Sequence, residues 1–346
     1  MSAFLKLGTK TLHAFPPETA HGLSLKALKA GLVAVPSIVP DPILRTTLAG
    51  LDLPNPVGLA AGYDKNGEVI DPLLGLGFGF VECGAVTPRP QAGNPKPRVF
   101  RLSADQAVIN RMGFNNAGLV ALKTRLKARL GRPGIVGVNL GANKDSVDRT
   151  EDYVTSLTAL EGLASFFTVN ISSPNTPGLR ALQSKASLDD LLRRVMTAKR
   201  AAPVFLKVAP DLRDEDLADI ASSVIENRID ALIVSNTTIE RPDSLMSADR
   251  AQGGGLSGRP LFERSTALLK AFAQTLDGKV PLIGVGGIED AATACAKIRA
   301  GAAAVQLYSA MVYKGPGLVS DINRGLAERL KADGFASVGE AVGVDV

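Results

Sequence analysis

From about residue 56 onward the chain alternates short apolar runs with amphipathic stretches. The runs are Val57–Ala61, Phe80–Val86, Ile135–Leu140, Phe166–Ile171, Val204–Val208, Ala231–Ser235, Leu282–Val285 and Ala304–Leu307. Helical patterns separate them, for example Asp214–Asn227, Pro260–Leu276 and Asp290–Ala300. A strand without polar alternation is buried on both faces, and strands that alternate with helices form a parallel sheet covered by those helices. Eight such units predict an α/β fold, a closed (β/α)8 TIM barrel, over residues 41–346. An open doubly wound sheet is the alternative, weakened by the lack of a G-x-G-x-x-G turn after the first run. Two connections are long, Thr87–Asn115 after the second run and Thr237–Arg259 after the sixth. Both leave strand C-termini, where barrels build their sites, and both read as candidate lids.

Residues 1–40 follow a different pattern. Phe4, Leu7, Leu12 and Phe15 fall on one helical face, Pro16-Pro17 interrupts it, and Leu23, Leu25, Leu28 and Leu32 mark a second face. Lys6, Lys10, Lys26 and Lys29 stand against one acid, Glu18. Two amphipathic helices with basic flanks suit an anionic membrane surface. A helical hairpin packed on the main domain is the alternative. Ala27–Val39 resembles a short signal core, but Lys29 and Pro36 interrupt it.

Composition narrows the chemistry. Of 346 residues, 45% are hydrophobic, enough for a large core, and no apolar stretch reaches the length of a membrane span. Two cysteines argue against a disulfide framework. No Cys/His cluster has metal-ligand spacing, so no metal is expected. The only histidines are His13 and His21, which excludes a histidine base in the main body. A net charge of +5 does not call for a nucleic-acid partner.

The polar groups gather where strands end. The fourth run stops in Asn170-Ile171-Ser172-Ser173-Pro174-Asn175-Thr176-Pro177-Gly178, which by itself could be an ordinary turn. The last two runs lead into Gly284-Val285-Gly286-Gly287-Ile288 and Gln306-Leu307-Tyr308-Ser309, and the sixth connection holds Gly253-Gly254-Gly255-Leu256-Ser257-Gly258. Glycines after the seventh and eighth strands let backbone amides approach a phosphate, so a phosphate-bearing ligand is expected. Lys207 interrupts an apolar strand and needs an anionic or covalent partner. It reads as a Schiff-base lysine, as a cation beside a cofactor that becomes anionic, or as half of an internal ion pair. Asn110, Asn115, Asn139, Asn170, Asn175 and Asn236 offer planar donor and acceptor sets suited to a heterocycle with imide edges. Lys65, on the same face, could pair with a carboxylate.

Five stretches together resemble the dihydroorotate dehydrogenase family. They are Ala60-Ala61-Gly62-Tyr63-Asp64-Lys65, Thr87-Pro88-Arg89-Pro90-Gln91, Asn110-Arg111-Met112-Gly113-Phe114-Asn115, Asn170-Ile171-Ser172-Ser173-Pro174-Asn175-Thr176 and Val285-Gly286-Gly287-Ile288. The likeness is to the membrane-associated, quinone-using class and spans nearly the whole chain, His21 included. The resemblance implies FMN as the cofactor, with its phosphate near Gly258, Gly287, Tyr308 and Ser309. Asn139, Asn170, Lys207 and Ser235 would line its ring system, and Ala61, Gly62, Lys65 and Ala85 would complete the site. Ala85 departs from relatives that carry threonine there. The implied substrate contacts are Lys65, Asn110, Arg111, Met112, Gly113, Phe114, Asn170, Asn175, Asn236 and Thr237. Ser173 would be the base that takes the C5 proton of dihydroorotate, in the pathway to UMP. A serine must pass that proton onward as it accepts it.

The hairpin would frame a path from lipid to the flavin, with His21, Arg101 and Tyr308 as candidate groups for the quinone. The chain begins directly with the hairpin, without an Arg-rich leader, which favours a bacterial-type peripheral protein on the cytoplasmic face of the cell membrane. Three rivals are a soluble dihydropyrimidine or dihydrouridine oxidoreductase, which predicts a cysteine near the fourth loop, a Schiff-base aldolase, and a non-catalytic membrane scaffold.

Overall fold

A computed structural model describes residues 3–33, 41–176 and 178–346. The side chains of residues 3–7 are outside it, Phe4, Lys6 and Leu7 among them, and so are the expected domain boundary at residue 40 and Pro177. The barrel strands are β1 (Val57–Leu59), β2 (Phe80–Val86), β3 (Ile135–Leu140), β4 (Phe166–Asn170), β5 (Val204–Val208), β6 (Ala231–Val234), β7 (Leu282–Val285) and β8 (Ala302–Leu307). They pair in parallel in chain order, and β8 closes on β1. Apart from Ala61 and Ile135 at their ends, the runs that looked buried on both faces are buried on both faces, because one side meets the barrel interior and the other meets helices. The helix Phe262–Leu276, for instance, buries Leu269, Phe272 and Leu276 against the strands.

The interior is filled in layers. Phe80, Phe166 and Phe205 form the lower layer, with ring centroids 6.0 and 4.6 Å apart. These rings fit because neighbouring strands carry glycine. A Cβ on Gly58 would sit 2.3 Å from Phe80, and one on Gly137 would sit 2.0 Å from Phe166. Leu48 and Leu53, from the two-stranded ribbon Thr46–Leu48 and Leu51–Leu53, join the same cluster. Alternation then places Glu82, Asn139, Lys207 and Gln306 in the layer above. The apolar floor thus ends where the polar chemistry begins.

The two long connections are not separate lids. Val99–Leu102 and Ala107–Asn110, from the connection after β2, join Gly255–Gly258, from the connection after β6, in one three-stranded antiparallel sheet. It has its own core of Phe100, Leu102, Ala107, Ile109, Leu245 and Leu256.

The N-terminal pattern folds as two helices, α1 (Ala3–His13) and α2 (Pro17–Lys29), separated at the expected prolines. They dock over the site end of the barrel. Glu18 pairs with Arg98 at 2.7 Å, and Arg98 also donates to the carbonyls of Ala92 and Asn94 at 2.7 and 2.9 Å. His13 Nε2 donates to the Val312 carbonyl at 2.7 Å. Leu28 is buried, while Phe15, Leu32, Lys10, Lys26 and Lys29 are exposed. No helix among the described residues is long and apolar enough to cross a membrane.

Candidate active site

A cavity of about 660 Å³ lies at the C-terminal end of the barrel and continues between α1 and α2. Its volume is in the range of small-molecule and cofactor sites. Its floor is the polar layer. Glu82 accepts from Asn139 Nδ2 at 2.7 Å and from Gln306 Nε2 at 2.6 Å. Asn139 Oδ1 accepts from Asn170 Nδ2 at 2.9 Å, and Asn170 Oδ1 accepts from the Ser172 hydroxyl at 2.8 Å. The Ser172 hydroxyl accepts in turn from Asn236 Nδ2 at 3.0 Å. Lys207 is buried in the same layer and makes no hydrogen bond or ion pair with any described residue. Burial pulls its pKa down, and attraction to Glu82 opposes this. The internal ion-pair reading of Lys207 therefore has no contact to support it.

Ser173 sits in the turn after β4, 5% exposed, and its hydroxyl accepts from the Asn175 backbone N–H at 3.3 Å. The buried Tyr153 hydroxyl donates to the Asn170 carbonyl at 2.7 Å and fixes the strand end before the turn. Asn175 Nδ2 reaches Asn110 Oδ1 at 3.4 Å, and Asn94 donates to the Asn175 carbonyl at 3.1 Å, so the sheet of the long connections holds the turn from above. Thr176 Oγ1, three residues after Ser173, is buried without a partner among the described residues. Lys65 Nζ donates to the Gly62 carbonyl at 2.8 Å, and burial lowers its pKa to about 8.

At the other side, Gly258, Gly286 and Gly287 have φ of +95°, +108° and +74°. A Cβ on Gly287 would lie 2.6 Å from the Phe262 Cα, and one on Gly258 would lie 2.4 Å from the Gln106 carbonyl oxygen. Only glycine fits either position. Ser309 donates to the Ser257 hydroxyl at 2.8 Å. Toward the helices, Tyr308, Tyr63 and His21 form a chain of edge contacts with centroids 5.5 and 5.3 Å apart. His21 Nε2 donates to the Tyr63 carbonyl at 2.8 Å; burial first, then Lys65, push its pKa down to about 4, so the ring is neutral at pH 7. Arg101 donates to the carbonyls of His13 and Phe15, which holds its guanidinium at the hairpin turn.

The expected site residues thus converge on one cavity, from Ala61, Gly62, Ala85 and Ser235 to Met112, Gly113, Phe114 and Thr237. Asn115 lies outside this cavity, and so does Arg111. Its guanidinium lies 4.7 Å from the Phe100 ring centroid and donates to Gln252 Oε1 and the Gly253 carbonyl, so it does not line the cavity. Among the buried polar residues to which sequence reasoning assigned no role are Glu82, Gln306 and Lys297. The signal existed for Glu82, since a carboxylate inside Phe80–Val86 is as conspicuous as Lys207 within its own strand.

The cavity has the donors, acceptors and contours that a phosphate-bearing planar cofactor requires. Gln306 Oε1 and the Lys207 ammonium are buried groups that await a partner, and the glycine turns clear space for an anion. Comparison with known proteins points the same way. Residues 43–330 match the family model described as dihydroorotate dehydrogenase. A Mesorhizobium japonicum protein named dihydroorotate dehydrogenase (quinone) is 57% identical, over 98% of this chain and 96% of its own. A protein of the same name from Parvibaculum lavamentivorans is 59% identical over 95% of each chain. The crystal structure of the Eimeria tenella enzyme in complex with ferulenol superposes with a TM-score of 0.92 at 39% identity, covering 95% of both chains.

Proposed function

The chain belongs to the dihydroorotate dehydrogenase family, and from that premise we propose how its own residues divide the work. It is an FMN-dependent oxidoreductase that oxidises dihydroorotate to orotate, with a quinone as final electron acceptor, in pyrimidine biosynthesis. When bound, FMN supplies the acceptor for the hydride from substrate C6 and later yields the electrons to quinone.

Ser173 is the base for the C5 proton. A serine hydroxyl is a weak base, so it must release its own proton as it takes one. Thr176 Oγ1, a buried hydroxyl in the same turn without a partner among the described residues, is the group available to receive it while passing its own proton on to water. Asn110, Asn170, Asn175 and Asn236 hold the planar edges of the substrate, with the backbone of Met112, Gly113 and Phe114 and the Thr237 hydroxyl beside them. Lys65 pairs with the substrate carboxylate, and an anion there raises its lowered pKa and keeps it charged. Lys207 places a cation beneath a cofactor that gains electrons. Asn139, Ser235, Ala61, Gly62 and Ala85 wall the ring system, and Gly258, Gly287, Tyr308 and Ser309 take the phosphate. Arg111 serves the shape of the sheet rather than the substrate.

The observation that carries this reading is the meeting of Ser173, Lys65, Asn110, Asn170, Asn175 and Asn236 in one cavity whose floor holds Lys207. The test is anaerobic mixing of the yellow holoenzyme with dihydroorotate. The parent bleaches. Ser173→Ala keeps its FMN and bleaches about 10²- to 10⁴-fold more slowly, the usual worth of a positioned proton acceptor. Bleaching of Ser173→Ala at the parent rate refutes the assignment.

The cavity's extension between α1 and α2 offers Leu12, Ala20, Ala27 and Leu28 to an apolar quinone tail, beside the polar Thr9, Thr11 and Ser24. His21, Arg101 and Tyr308 mark its polar end. The hairpin with exposed Phe15, Leu32 and three lysines would rest on an anionic lipid surface, as a peripheral attachment on the cytoplasmic face.

A further inference from the structure

The connection that carries Ser173 returns to its own start through one guanidinium. Arg180 opens the short 3-10 turn Arg180–Gln183, downstream of Ser173 in the same connection. Its Nε donates to the Ser172 carbonyl at 3.2 Å, its Nη2 to the Thr237 carbonyl at 3.2 Å and its Nη1 to Asp211 Oδ2 at 2.8 Å. One planar group thus joins the strand ends after β4, β5 and β6. A guanidinium fork fixes direction as well as distance, which an ammonium does not. Asp211 is itself held, since it also accepts from the Thr238 hydroxyl and from the Ile239 N–H at 3.1 Å.

The other contacts of the turn show what Arg180 adds. The Ser172 N–H and hydroxyl both donate to Asn170 Oδ1, at 3.2 and 2.8 Å, and the hydroxyl accepts from Asn236. These bonds hold the Ser172 nitrogen and side chain. Ser173 Oγ accepts from the Asn175 N–H, a bond inside the turn that moves with it. Gln183 Oε1 accepts from the Ala209 N–H at 3.1 Å and holds the far end of the connection. The Ser172 carbonyl belongs to the peptide that leads into Ser173, and among the described residues its donor is Arg180. Thr237 depends on Arg180 less, because its neighbour Thr238 exchanges two backbone hydrogen bonds with Leu256, at 3.1 and 2.7 Å. Without Arg180 the Ser172–Ser173 peptide loses its hold, while Asn170, Asn236 and Thr237 keep theirs.

We propose that Arg180 is a positioning residue: held by Asp211, it fixes the peptide that leads into Ser173 and so aims the Ser173 hydroxyl at the substrate proton. This rests on the assignment of Ser173 as the base. The Arg180 side chain is 23% exposed, so water can reach the carbonyls that its removal uncovers, and Asp211 keeps two donors, with Arg264 3.6 Å away. A truncated side chain at position 180 should therefore disturb the aim of the turn rather than the fold.

The test is a double-mutant cycle on the holoenzyme: the parent, Ser173→Ala, Arg180→Ala and the pair. Each is read by the rate of flavin bleaching at saturating dihydroorotate and by orotate affinity from the flavin spectrum. Arg180→Ala should bleach about 10- to 100-fold more slowly, the cost of a displaced reacting group. Its orotate affinity should stay within about threefold of the parent, because the groups that hold the ring keep their own supports. In the Ser173→Ala background the same substitution should cost less than about threefold, since no hydroxyl is left to aim. A residue that merely stabilises the fold would cost the same in both backgrounds. A parent-like rate for Arg180→Ala, an equal cost in both backgrounds, or orotate affinity lost in step with the rate overturns the proposal. Should Arg180→Ala fail to hold FMN, Arg180→Lys, which keeps the charge without the fork, takes its place in the cycle under the same criteria. Bleaching of Ser173→Ala at the parent rate would instead remove the base assignment on which the inference rests.

Discussion

Lys297 offers the sharpest test of the barrel's electrostatics. It lies on the helix Ala291–Arg299, 0% exposed, behind the glycine turn after β7. Its Nζ donates to Ser265 Oγ at 2.6 Å, and Ser265 donates to the Gly286 carbonyl at 3.2 Å. The Phe262 ring centroid is 5.3 Å away, and no described carboxylate lies within ion-pair distance. Burial pushes its pKa down from 10.5 to about 7, opposed weakly by Glu263. A base with a depressed folded pKa costs stability wherever the unfolded chain holds a proton that the folded protein has shed. The cost is absent above about 10.5, grows as pH falls, and is complete below about 7. Within that window one proton is worth about 1.4 kcal/mol per pH unit, or roughly 5 kcal/mol across the whole of it. Lys297→Met removes the titration. Urea unfolding of both apoproteins should show the parent gaining about 2 to 3 kcal/mol on the variant between about pH 7 and 9, and nothing further below about pH 7. A phosphate held at Gly286–Gly287 would favour the charged lysine, so loading FMN should flatten the slope. A parent-to-variant difference that stays constant over this window refutes the reasoning.

Other expectations follow from the same geometry. Ser173→Cys should retain partial activity that rises with pH, because the thiolate is the competent base; a pH-independent rate would contradict a base at this position. Lys207→Met should lower the flavin reduction potential or weaken FMN binding, measured by dye-coupled titration and by FMN released on dilution, and borohydride with substrate should give no adduct at Lys207. Removing residues 1–40 should leave flavin reduction by dihydroorotate intact while slowing reoxidation by quinone and loosening binding to anionic liposomes, most clearly at low salt; a folded truncation with undiminished quinone turnover would refute the channel role. Arg98→Leu should loosen the hairpin by leaving Glu18 only the exposed Lys96 at 3.5 Å, seen as faster proteolysis within α2 with flavin reduction unchanged.

Much of this architecture is present in the chain's own pattern. β2, β3, β5 and β7 begin and end where the apolar runs do, because a strand covered on both sides has no polar position until it leaves the barrel. The glycine turns were legible because a backbone that bends at positive φ beside another backbone admits no side chain. Lys207 and the asparagines stood out because polar groups in or at the end of apolar strands need a reason to be there. What the sequence left undetermined is non-local. The pairing of Ala107–Asn110 with Gly255–Gly258 joins segments far apart in the chain, and neither announces its partner, so two apparent lids became one sheet. Arg111 looked like a ligand among ligands, but its side chain turns toward Phe100 and Gln252 once that sheet forms. Glu82 shows the same limit from inside the barrel. The sequence places a carboxylate in a strand, but only closure of the barrel brings Asn139 and Gln306 to its two oxygens, from β3 and β8 on either side. Local pattern specifies which residues are buried and where strands end; closure of the barrel decides which buried polar groups meet.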